Sequence, residues 1–152
     1  MTEQKDNLHE VTGVDLLRNA ALNKSTAFTE EERDRLKLRG LLPPSVGTMD
    51  RQIARVLANM RRKESPIEKY IFLSALQDRN ERLFYRLIIE NFQEIVPLIY
   101  TPTVGQECKE FASIFRTEKG FYVTANDKGR IRKILDNWPN KDVRIIVITD
   151  GE

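Results

Sequence analysis

The sequence predicts an α/β protein in which a helical N-terminal segment leads into the first βαβ unit of a parallel-sheet domain, truncated there. Three observations favour this fold class. Residues 27–118 contain repeated helix-capping patterns, each followed by apolar residues spaced three and four apart. The character of the sequence changes at Gly120, after which a short apolar run begins. A nearly continuous β-branched run, Val143–Ile148, is typical of a strand covered on both faces.

The first predicted helix spans 30–38. Thr29 lies three residues before Glu32, which is the pattern of a capping box, and the acidic residues between them suit the positive end of a helix dipole. The helix is predicted to stop at Gly40, since glycine readily adopts the left-handed conformation that ends helices. The preceding segment, 1–26, is interpreted as an N-terminal tail.

Three further helices follow along the chain. Residues 49–62 place apolar side chains at the spacing of an amphipathic helix. Ser65-Pro66-Ile67-Glu68 is a second capping box with proline at the first helical position, and it opens another helix. Asp78 and Glu81 repeat the capping pattern and predict a helix toward Phe92. Its core face is predicted to be Leu83, Leu87, Ile88 and Phe92.

Tyr100 is predicted to lie on a turn between two helices. Pro97 is expected to end the preceding helix, because proline lacks the N–H group that the helix needs. Thr101 is predicted to cap a helix over 102–115, with Pro102 at its first position. Side chains held on such turns are often functional. The residues of this helix predicted to be buried are Val104, Cys108, Phe111, Ile114 and Phe115.

The last part of the chain, 119–152, is interpreted as the start of an α/β catalytic domain. Phe121–Thr124 is predicted to be a short strand, and Asp127 is predicted to cap a helix through Leu135. Val143–Ile148 is predicted to be the second strand. A strand, a helix and a strand within about thirty residues favour a right-handed βαβ unit.

Composition excludes several functional classes. The 152 residues carry 25 Lys and Arg against 23 Asp and Glu, a net charge of +2 that gives no indication of a nucleic-acid partner. No apolar run approaches the ~20 residues that span a bilayer, so no membrane association is expected. The N-terminus resembles neither a secretory signal nor a mitochondrial presequence, and the single cysteine, Cys108, fits a reducing compartment. A cytoplasmic protein is therefore expected.

The residues that catalysis commonly uses are scarce in this chain. His9 is the only histidine and lies in the predicted tail, so a catalytic Ser–His or Cys–His pair is not expected. The sequence contains no GxGxxG, P-loop, CxxC or HExxH motif. A nucleotide or metal site is therefore not predicted from motifs.

The segment around Tyr100, Ile99–Gly105 (IYTPTVG), resembles the signature of the malic enzymes, which oxidatively decarboxylate malate to pyruvate. Other segments resemble the same family in the same order, so that the resemblance runs from about Ala27 to Glu152. These segments are Gly40–Pro44, Ser65–Ile71, Arg79–Arg86, Asp136–Pro139 and Val147–Glu152.

This resemblance implies the N-terminal part of an enzyme that converts L-malate to pyruvate and CO2, reducing NAD or NADP with the help of a divalent metal such as Mn or Mg. It assigns Tyr100 as the proton donor to the enolpyruvate intermediate. The family's catalytic lysine, metal ligands and dinucleotide-binding glycines follow the part that matches 147–152. No metal ligand and no cofactor-binding residue is therefore expected in this chain, and Asp150 and Glu152 are interpreted as turn residues. The isolated chain is expected to be inactive.

Arg55 and Arg79 are predicted to form an effector site. The resemblance implies that arginines at these positions bind a dicarboxylate activator such as fumarate, and that the helical segment 27–118 contributes to a homodimer or tetramer. Two guanidinium groups can hold two carboxylates through paired hydrogen bonds. The chain departs from the fumarate-responsive enzymes at Gly47, where they carry an acidic residue that supports one arginine.

Two alternative functions remain open from the sequence. Malolactic enzyme resembles the same segments but yields lactate. A non-catalytic module for dimerisation or dicarboxylate effector binding would also account for the apolar helices and the Arg55/Arg79 pair.

Overall fold

The computed structural model describes residues 11–139 and 142–149, which fall into two compact units, Met1–Phe115 and Arg116–Glu152. The described part of the first unit is helical. None of the helices within the described ranges is both long enough and apolar enough to cross a membrane. The helices of the first unit are α1 (Gly13–Arg18), α2 (Glu30–Arg35), α3 (Met49–Arg61), α4 (Pro66–Arg79), α5 (Glu81–Glu90), α6 (Phe92–Ile99) and α7 (Thr103–Ile114), with a 3₁₀ turn at Ser25–Ala27.

The main hydrophobic core of this unit lies between α3, α4, α5 and α6. Burial of each large apolar side chain stabilises the fold by about 1.5–3 kcal/mol, so this cluster supplies most of the force that packs the four helices together. Its position also decides which faces of α3 and α4 point outward and can bear charge. The buried residues are Ile53, Val56, Met60, Leu73, Leu76, Leu83, Phe84, Leu87 and Ile95.

A second, smaller cluster joins the N-terminal residues to α2. Helix α1 lies within the segment expected to be a tail, and its Leu16 is only 5% exposed. The Gly13 N–H donates to the carbonyl of Leu36 at 2.8 Å, which fixes the start of α1 against the end of α2. The described part of the segment expected to be a tail is thus packed against α2. The buried members of this cluster are Leu16, Phe28, Leu36 and Leu38.

Both predicted capping boxes are confirmed. The Glu32 N–H donates to Thr29 Oγ1 at 3.2 Å, and the Thr29 N–H donates to the Glu32 carboxylate at 3.0 Å. The Ser65 and Glu68 pair closes in the same way at 3.2 and 3.3 Å. The hydrogen bond from the Ser65 N–H lowers the pKa of Glu68, because it stabilises the ionised carboxylate.

Helix α2 ends earlier than predicted. Its last residue is Arg35, and Lys37 adopts a left-handed conformation with φ of 58°. The Leu38 N–H donates to the Arg33 carbonyl at 2.9 Å, which is the bond that defines a Schellman motif. Leu38 is fully buried behind this turn. The expectation of a helix through 38 that stops at Gly40 was wrong, because burial of Leu38 compensates for the unfavourable conformation at Lys37.

Arg33 is a buried cation that organises the loop before α3. Its side chain is 2% exposed, and the guanidinium donates to backbone carbonyl oxygens. These acceptors belong to two segments that are far apart in the chain, so the arginine joins the 3₁₀ turn to the loop that leads into α3. The acceptors are the carbonyls of Phe28 at 2.9 Å, Pro43 at 2.7 Å, Thr26 at 3.1 Å, Pro44 at 3.2 Å and Ser45 at 3.3 Å.

The burial predicted for the later helices was partly wrong. Leu83 and Leu87 of α5 are buried as predicted, but Phe92 is 61% exposed. Cys108 of α7 is exposed, and Phe115 is half exposed. An apolar spacing shows which side chains share a helix face, but burial depends on whether another element covers that face. Helix α7 packs against α4 and α6 through a side that includes buried Thr103.

The second unit contradicts the predicted βαβ unit. Its described residues contain a 3₁₀ turn at Ala125–Asp127 and one helix, α8 (Ile131–Leu135). Neither Phe121–Thr124 nor Val143–Ile148 forms a strand, and no sheet occurs within the described ranges. The fold class seen here is therefore all-helical, and the expectation of an α/β fold was wrong for the residues described.

The physical reason lies in the non-local nature of strand pairing. A strand exists only when its backbone forms a hydrogen-bonded ladder with a neighbour. The β-branched run expresses a preference for a buried extended conformation, but no other described residue covers it: Ile145 is 84% exposed and Ile148 is 90% exposed. The preference for an extended conformation depends on the residues of the run itself, whereas a strand also needs a pairing partner from elsewhere in the chain.

Candidate functional site

Arg55 and Arg79, predicted to act together, line the same cleft in the first unit. The cleft has a volume of about 120 Å³. Its apolar floor comes from the side chains of Val56, Phe72, Leu76 and Leu83. The polar part of the lining consists of Asn23, Ser25, Gln52, Asn59 and Asn80.

Local structure explains why the two arginines face this cleft. Arg55 lies on α3 directly before Val56, whose side chain is 4% exposed and packs into the main core. Arg79 is the last residue of α4, and its Nη1 donates to the carbonyl of Ala75 at 3.1 Å, one turn earlier. Both arginines are therefore exposed residues in the lining of a cleft whose other side chains include buried apolar ones.

The junction of α4 and α5 differs from the prediction. The capping pattern placed a helix start at Asp78, but α4 continues through Arg79, and Asn80 caps α5 instead. The Leu83 N–H donates to Asn80 Oδ1 at 2.9 Å. This sharp junction turns the N-terminal end of α5, which carries partial positive charge, toward the residues that line the cleft.

The electrostatic character of the cleft is cationic. None of the described residues that line it is acidic, and both arginine side chains are exposed at its edge. Arginine presents a planar fork of donors that matches a carboxylate, and two such groups suit a ligand with two carboxylates. A cleft that combines two arginines with an apolar floor can attract a small anion.

Two buried amides beside the cleft were missed by the sequence analysis. Gln52 is 2% exposed, its Nε2 donates to the Lys24 carbonyl at 3.1 Å, and its Oε1 has no partner among the described residues. Asn80 is 3% exposed, and its Nδ2 likewise has no partner there. The burial of Gln52 could have been suspected from the sequence, because this polar residue lies next to Ile53 on the inward face of α3.

Gly47 lies just before α3 and has no room for a larger side chain. Its N–H donates to the Thr26 carbonyl at 2.8 Å, and a Cβ atom added there would lie 2.7 Å from Thr26 Oγ1. An acidic side chain at this position would require Thr26 to move. The packing against Thr26 thus gives a structural reason for the departure from the fumarate-responsive pattern.

Tyr100 is placed at the boundary between α6 and α7 and is 66% exposed. Its backbone is held on both sides: the Tyr100 N–H donates to the Val96 carbonyl, and the Val104 N–H donates to the Tyr100 carbonyl, both at 2.9 Å. Thr103 is buried, and its hydroxyl donates to the Pro97 carbonyl at 2.7 Å. The phenol therefore projects from a fixed turn. It is not part of the arginine cleft.

The turn around Tyr100 forms differently from the prediction. Pro97 lies inside α6 and does not end it, and α7 begins at Thr103 after Pro102, without a side-chain cap from Thr101. The peptide bond between Thr101 and Pro102 is cis. Because Pro97 removes only its own N–H, the later bond from Tyr100 to Val96 still forms, and α6 reaches Ile99.

The helices on either side of Tyr100 are anchored by polar contacts. Arg61 of α3 donates to both carboxylate oxygens of Glu94 at 2.7 and 3.0 Å, which lowers the pKa of Glu94. Ile95, the next residue of α6, is completely buried. On the other side, burial and the adjacent Glu107 carboxylate of α7 raise the pKa of Tyr70 on α4 to about 12. These contacts hold the frame from which Tyr100 projects.

The described residues do not provide a metal centre. No three His, Cys, Asp or Glu side chains within 11–139 and 142–149 are grouped so that they could hold a metal ion. Asp150 and Glu152, considered from the sequence, lie outside the described residues, as does His9.

Comparisons with known proteins give a consistent result. A family model described as malic enzyme, N-terminal domain, matches residues 77–152. NADP-dependent malic enzyme 1 of Arabidopsis thaliana is 50% identical over 141 residues, which are 93% of this chain and 24% of that protein. The chloroplastic NADP-dependent malic enzymes of Flaveria pringlei and Oryza sativa subsp. japonica are 49% and 48% identical over 141 residues, covering 93% of this chain and 22% of each relative.

These matches show how much of its relatives' length the chain covers, and they correct the predicted cellular location. The chain spans about a quarter of the length of the curated relatives that it matches. The expectation of a cytoplasmic protein was wrong, because it does not agree with similar relatives that are named chloroplastic. A low cysteine content fits any reducing compartment and so does not single out the cytoplasm.

Proposed function

This chain belongs to the malic enzyme family, and we propose that it forms the N-terminal part of an enzyme that oxidatively decarboxylates L-malate to pyruvate and CO2 with reduction of NADP. The family match and the names of the relatives support this proposal, including the choice of NADP over NAD. A nucleotide and a divalent metal such as Mn or Mg would be bound outside the described residues. The contribution of this chain is then a proton donor and, separately, an effector cleft.

The proposed proton donor is Tyr100. Loss of CO2 from oxidised malate leaves enolpyruvate, whose carbon must be protonated to give pyruvate. A phenol can deliver this proton if it is held in a fixed position and open to the substrate. The observation that carries the assignment is the exposed Tyr100 side chain on a turn whose backbone is hydrogen-bonded to both flanking helices.

The overall reaction can be tested by grafting. The matching 141 residues of the Arabidopsis thaliana relative are replaced by the corresponding part of this chain, and NADPH formation from malate is measured. We expect an active chimera that produces pyruvate and an isolated 152-residue chain with no activity. Lactate as the product would indicate malolactic chemistry. A correctly assembled but inactive chimera, or activity of the isolated chain, would contradict the proposal.

We propose in addition that the cleft between Arg55 and Arg79 binds a dicarboxylate effector such as fumarate. The support is the presence of both arginines in the lining of one cleft, which has no acidic lining residue in the described part of the chain. The helix end at Asn80 adds favourable potential for an anion. This function could exist with or without catalysis in the same polypeptide.

Calorimetry with fumarate and the 152-residue chain tests this site. Arg55→Ala and Arg79→Ala are each expected to weaken binding by about 10- to 100-fold, since a hydrogen bond to a charged group is worth about 1.5–3 kcal/mol. Arg51→Ala is the matched control, because Arg51 is also exposed on α3, one turn earlier, and does not line the cleft. Equal binding by the Arg55 and Arg51 variants would exclude the site.

We also propose that the helical segment takes part in a homodimer or tetramer. Tyr85, Ile89 and Phe92 lie along the outer side of α5 and the start of α6 and are 51%, 73% and 61% exposed. The spacing of four residues makes Tyr85 and Ile89 neighbours on α5, and Phe92 begins the next helix after the break at Asn91. An apolar surface of this kind commonly marks a protein–protein contact.

A further inference from the structure

We propose that the segment Asn19–Ser25 forms a wall of the cleft of Arg55 and Arg79, and that Asn23 is the residue that positions this wall. The inference rests on the dicarboxylate site proposed above and names a further part of it. Asn23 and Ser25 both line the cleft, although the sequence placed them in an N-terminal tail. The cleft is then assembled from three separate stretches of the chain, and the segment before α2 becomes part of the binding site.

The segment is fixed to the helices that carry the arginines. The Glu81 N–H donates to the Ala20 carbonyl at 3.0 Å, which satisfies a free donor at the start of α5. Arg82 Nε donates to the Ala21 carbonyl at 3.0 Å. On the α3 side, Gln52 Nε2 donates to the Lys24 carbonyl at 3.1 Å. The segment thus bridges α3 and α5 across the cleft.

An ion pair fixes the same segment to α2. The ammonium group of Lys24 is hydrogen-bonded to the Glu32 carboxylate, and this contact lowers the pKa of Glu32. The side chains of Ala21 and Leu22 remain exposed, so the segment is held largely by polar contacts and not by apolar burial. Segments held in this way open at a lower free-energy cost than the core.

Asn23 is the centre of this arrangement. Its Nδ2 donates to the Leu17 carbonyl at 2.9 Å and to the Arg79 carbonyl at 3.2 Å, and its Oδ1 accepts from the Ser25 N–H at 2.7 Å. One amide therefore joins α1, the turn at Ser25 and the last residue of α4. Because the carbonyl of Arg79 lies at a helix end, it has no partner within the helix, and Asn23 supplies one.

Ligand binding and docking of the segment should therefore be coupled. A dicarboxylate held by Arg55 and Arg79 contacts a cleft that is complete only when Asn23 is in place. The ligand then favours the docked state of the segment, and a loss of docking reduces affinity by the same free energy. Asn23 acts here as a positioning residue for Arg79 and not as a catalytic residue.

The test compares two asparagines of the same segment in the 152-residue chain, with fumarate as the probe. Asn23→Asp removes both donors of residue 23, whereas Asn19→Asp is the matched control, since Asn19 Oδ1 only accepts, from the Ala21 and Leu22 N–H groups at 3.1 Å. Asn23→Ala removes the donors, and also the acceptor of the Ser25 N–H, without adding charge. We expect calorimetry to show binding weaker by about tenfold or more for both Asn23 variants, because each loses the hydrogen bonds to Leu17 and Arg79, and less than a twofold change for Asn19→Asp.

Deuterium exchange supplies a readout that added charge or a simple loss of stability would not change. Saturating fumarate is expected to slow exchange in 19–25 in the wild-type chain and in Asn19→Asp, but not in Asn23→Ala. Binding that is lost in Arg55→Ala and unchanged in Asn23→Ala would overturn this inference alone. No binding by the wild-type chain would overturn the dicarboxylate site and this inference together.

Discussion

Replacing Tyr100 by phenylalanine is expected to lower the kcat of malate decarboxylation by about 100- to 10,000-fold, which is the usual contribution of a general acid or base. The measurement is steady-state kinetics of the grafted enzyme with NADP. The KM for malate should change little, because phenylalanine keeps the ring and removes only the transferable proton. The fold should not be affected, since Tyr100 is 66% exposed and its turn is held by backbone bonds.

Tyr85→Phe is the control for this substitution. Tyr85 is 51% exposed on α5, and its hydroxyl interacts only weakly with Gln77 Nε2, at 3.4 Å. It should leave kcat within about twofold of the wild-type value, because phenylalanine keeps the ring that the proposed oligomer surface uses and Tyr85 lies outside the turn that carries Tyr100. An undiminished kcat for Tyr100→Phe would assign the proton transfer to another group, and a lower melting temperature would point to a structural role.

Replacing Arg33 by alanine is expected to lower the free energy of unfolding by about 3 kcal/mol or more. Arg33 is 2% exposed, and its guanidinium group donates to carbonyl groups of the 3₁₀ turn and of the loop before α3. Each buried acceptor left without a donor costs about 1–3 kcal/mol. Urea denaturation of the 152-residue chain, followed by circular dichroism, measures the effect.

Two other variants calibrate the Arg33 result. Arg51→Ala, an exposed change on α3, should alter stability by no more than about 0.5 kcal/mol. Arg33→Lys should be intermediate, since an ammonium group retains charge and donors but cannot reach the separate acceptors as a planar fork does. If Arg33→Ala were as stable as Arg51→Ala, the arginine would not hold the loop in place.

The starts of α2 and α4 could be predicted because capping depends on neighbouring residues, whereas the caps expected from Asp78 and Thr101 did not form. The capping residues Thr29 and Ser65 each lie within four residues of the glutamate that completes the capping box, and both capping boxes form as predicted. Helix ends were less predictable: the left-handed residue after α2 is Lys37 and not Gly40, since the buried Leu38 beyond it decides where the chain turns. Local sequence shows where a helix can end, but the burial of a residue beyond the helix decides which of these positions is used.

The sequence predicted the two charged residues of the cleft, but it did not predict the neutral polar residues that line it. Arg55 and Arg79 could be paired through the family resemblance, and they do line one cleft. The role of Asn23 depends on a hydrogen bond to a residue 56 positions away, which no local pattern reveals. The predicted strand Val143–Ile148 failed for the same reason, because its pairing depends on residues distant from it.

The exposed run Val143–Ile148 governs how the isolated chain behaves at high concentration. Ile145, Val147 and Ile148 are each at least 84% exposed, and only one charge interrupts the run. Short β-branched segments without proline readily stack edge to edge between identical chains and form cross-β aggregates. The solubility of the isolated 152-residue chain is therefore expected to depend on this segment, which lies outside the helical core. Mutations that raise the melting temperature of the helices would leave precipitation unchanged, whereas a lysine within this run would suppress it.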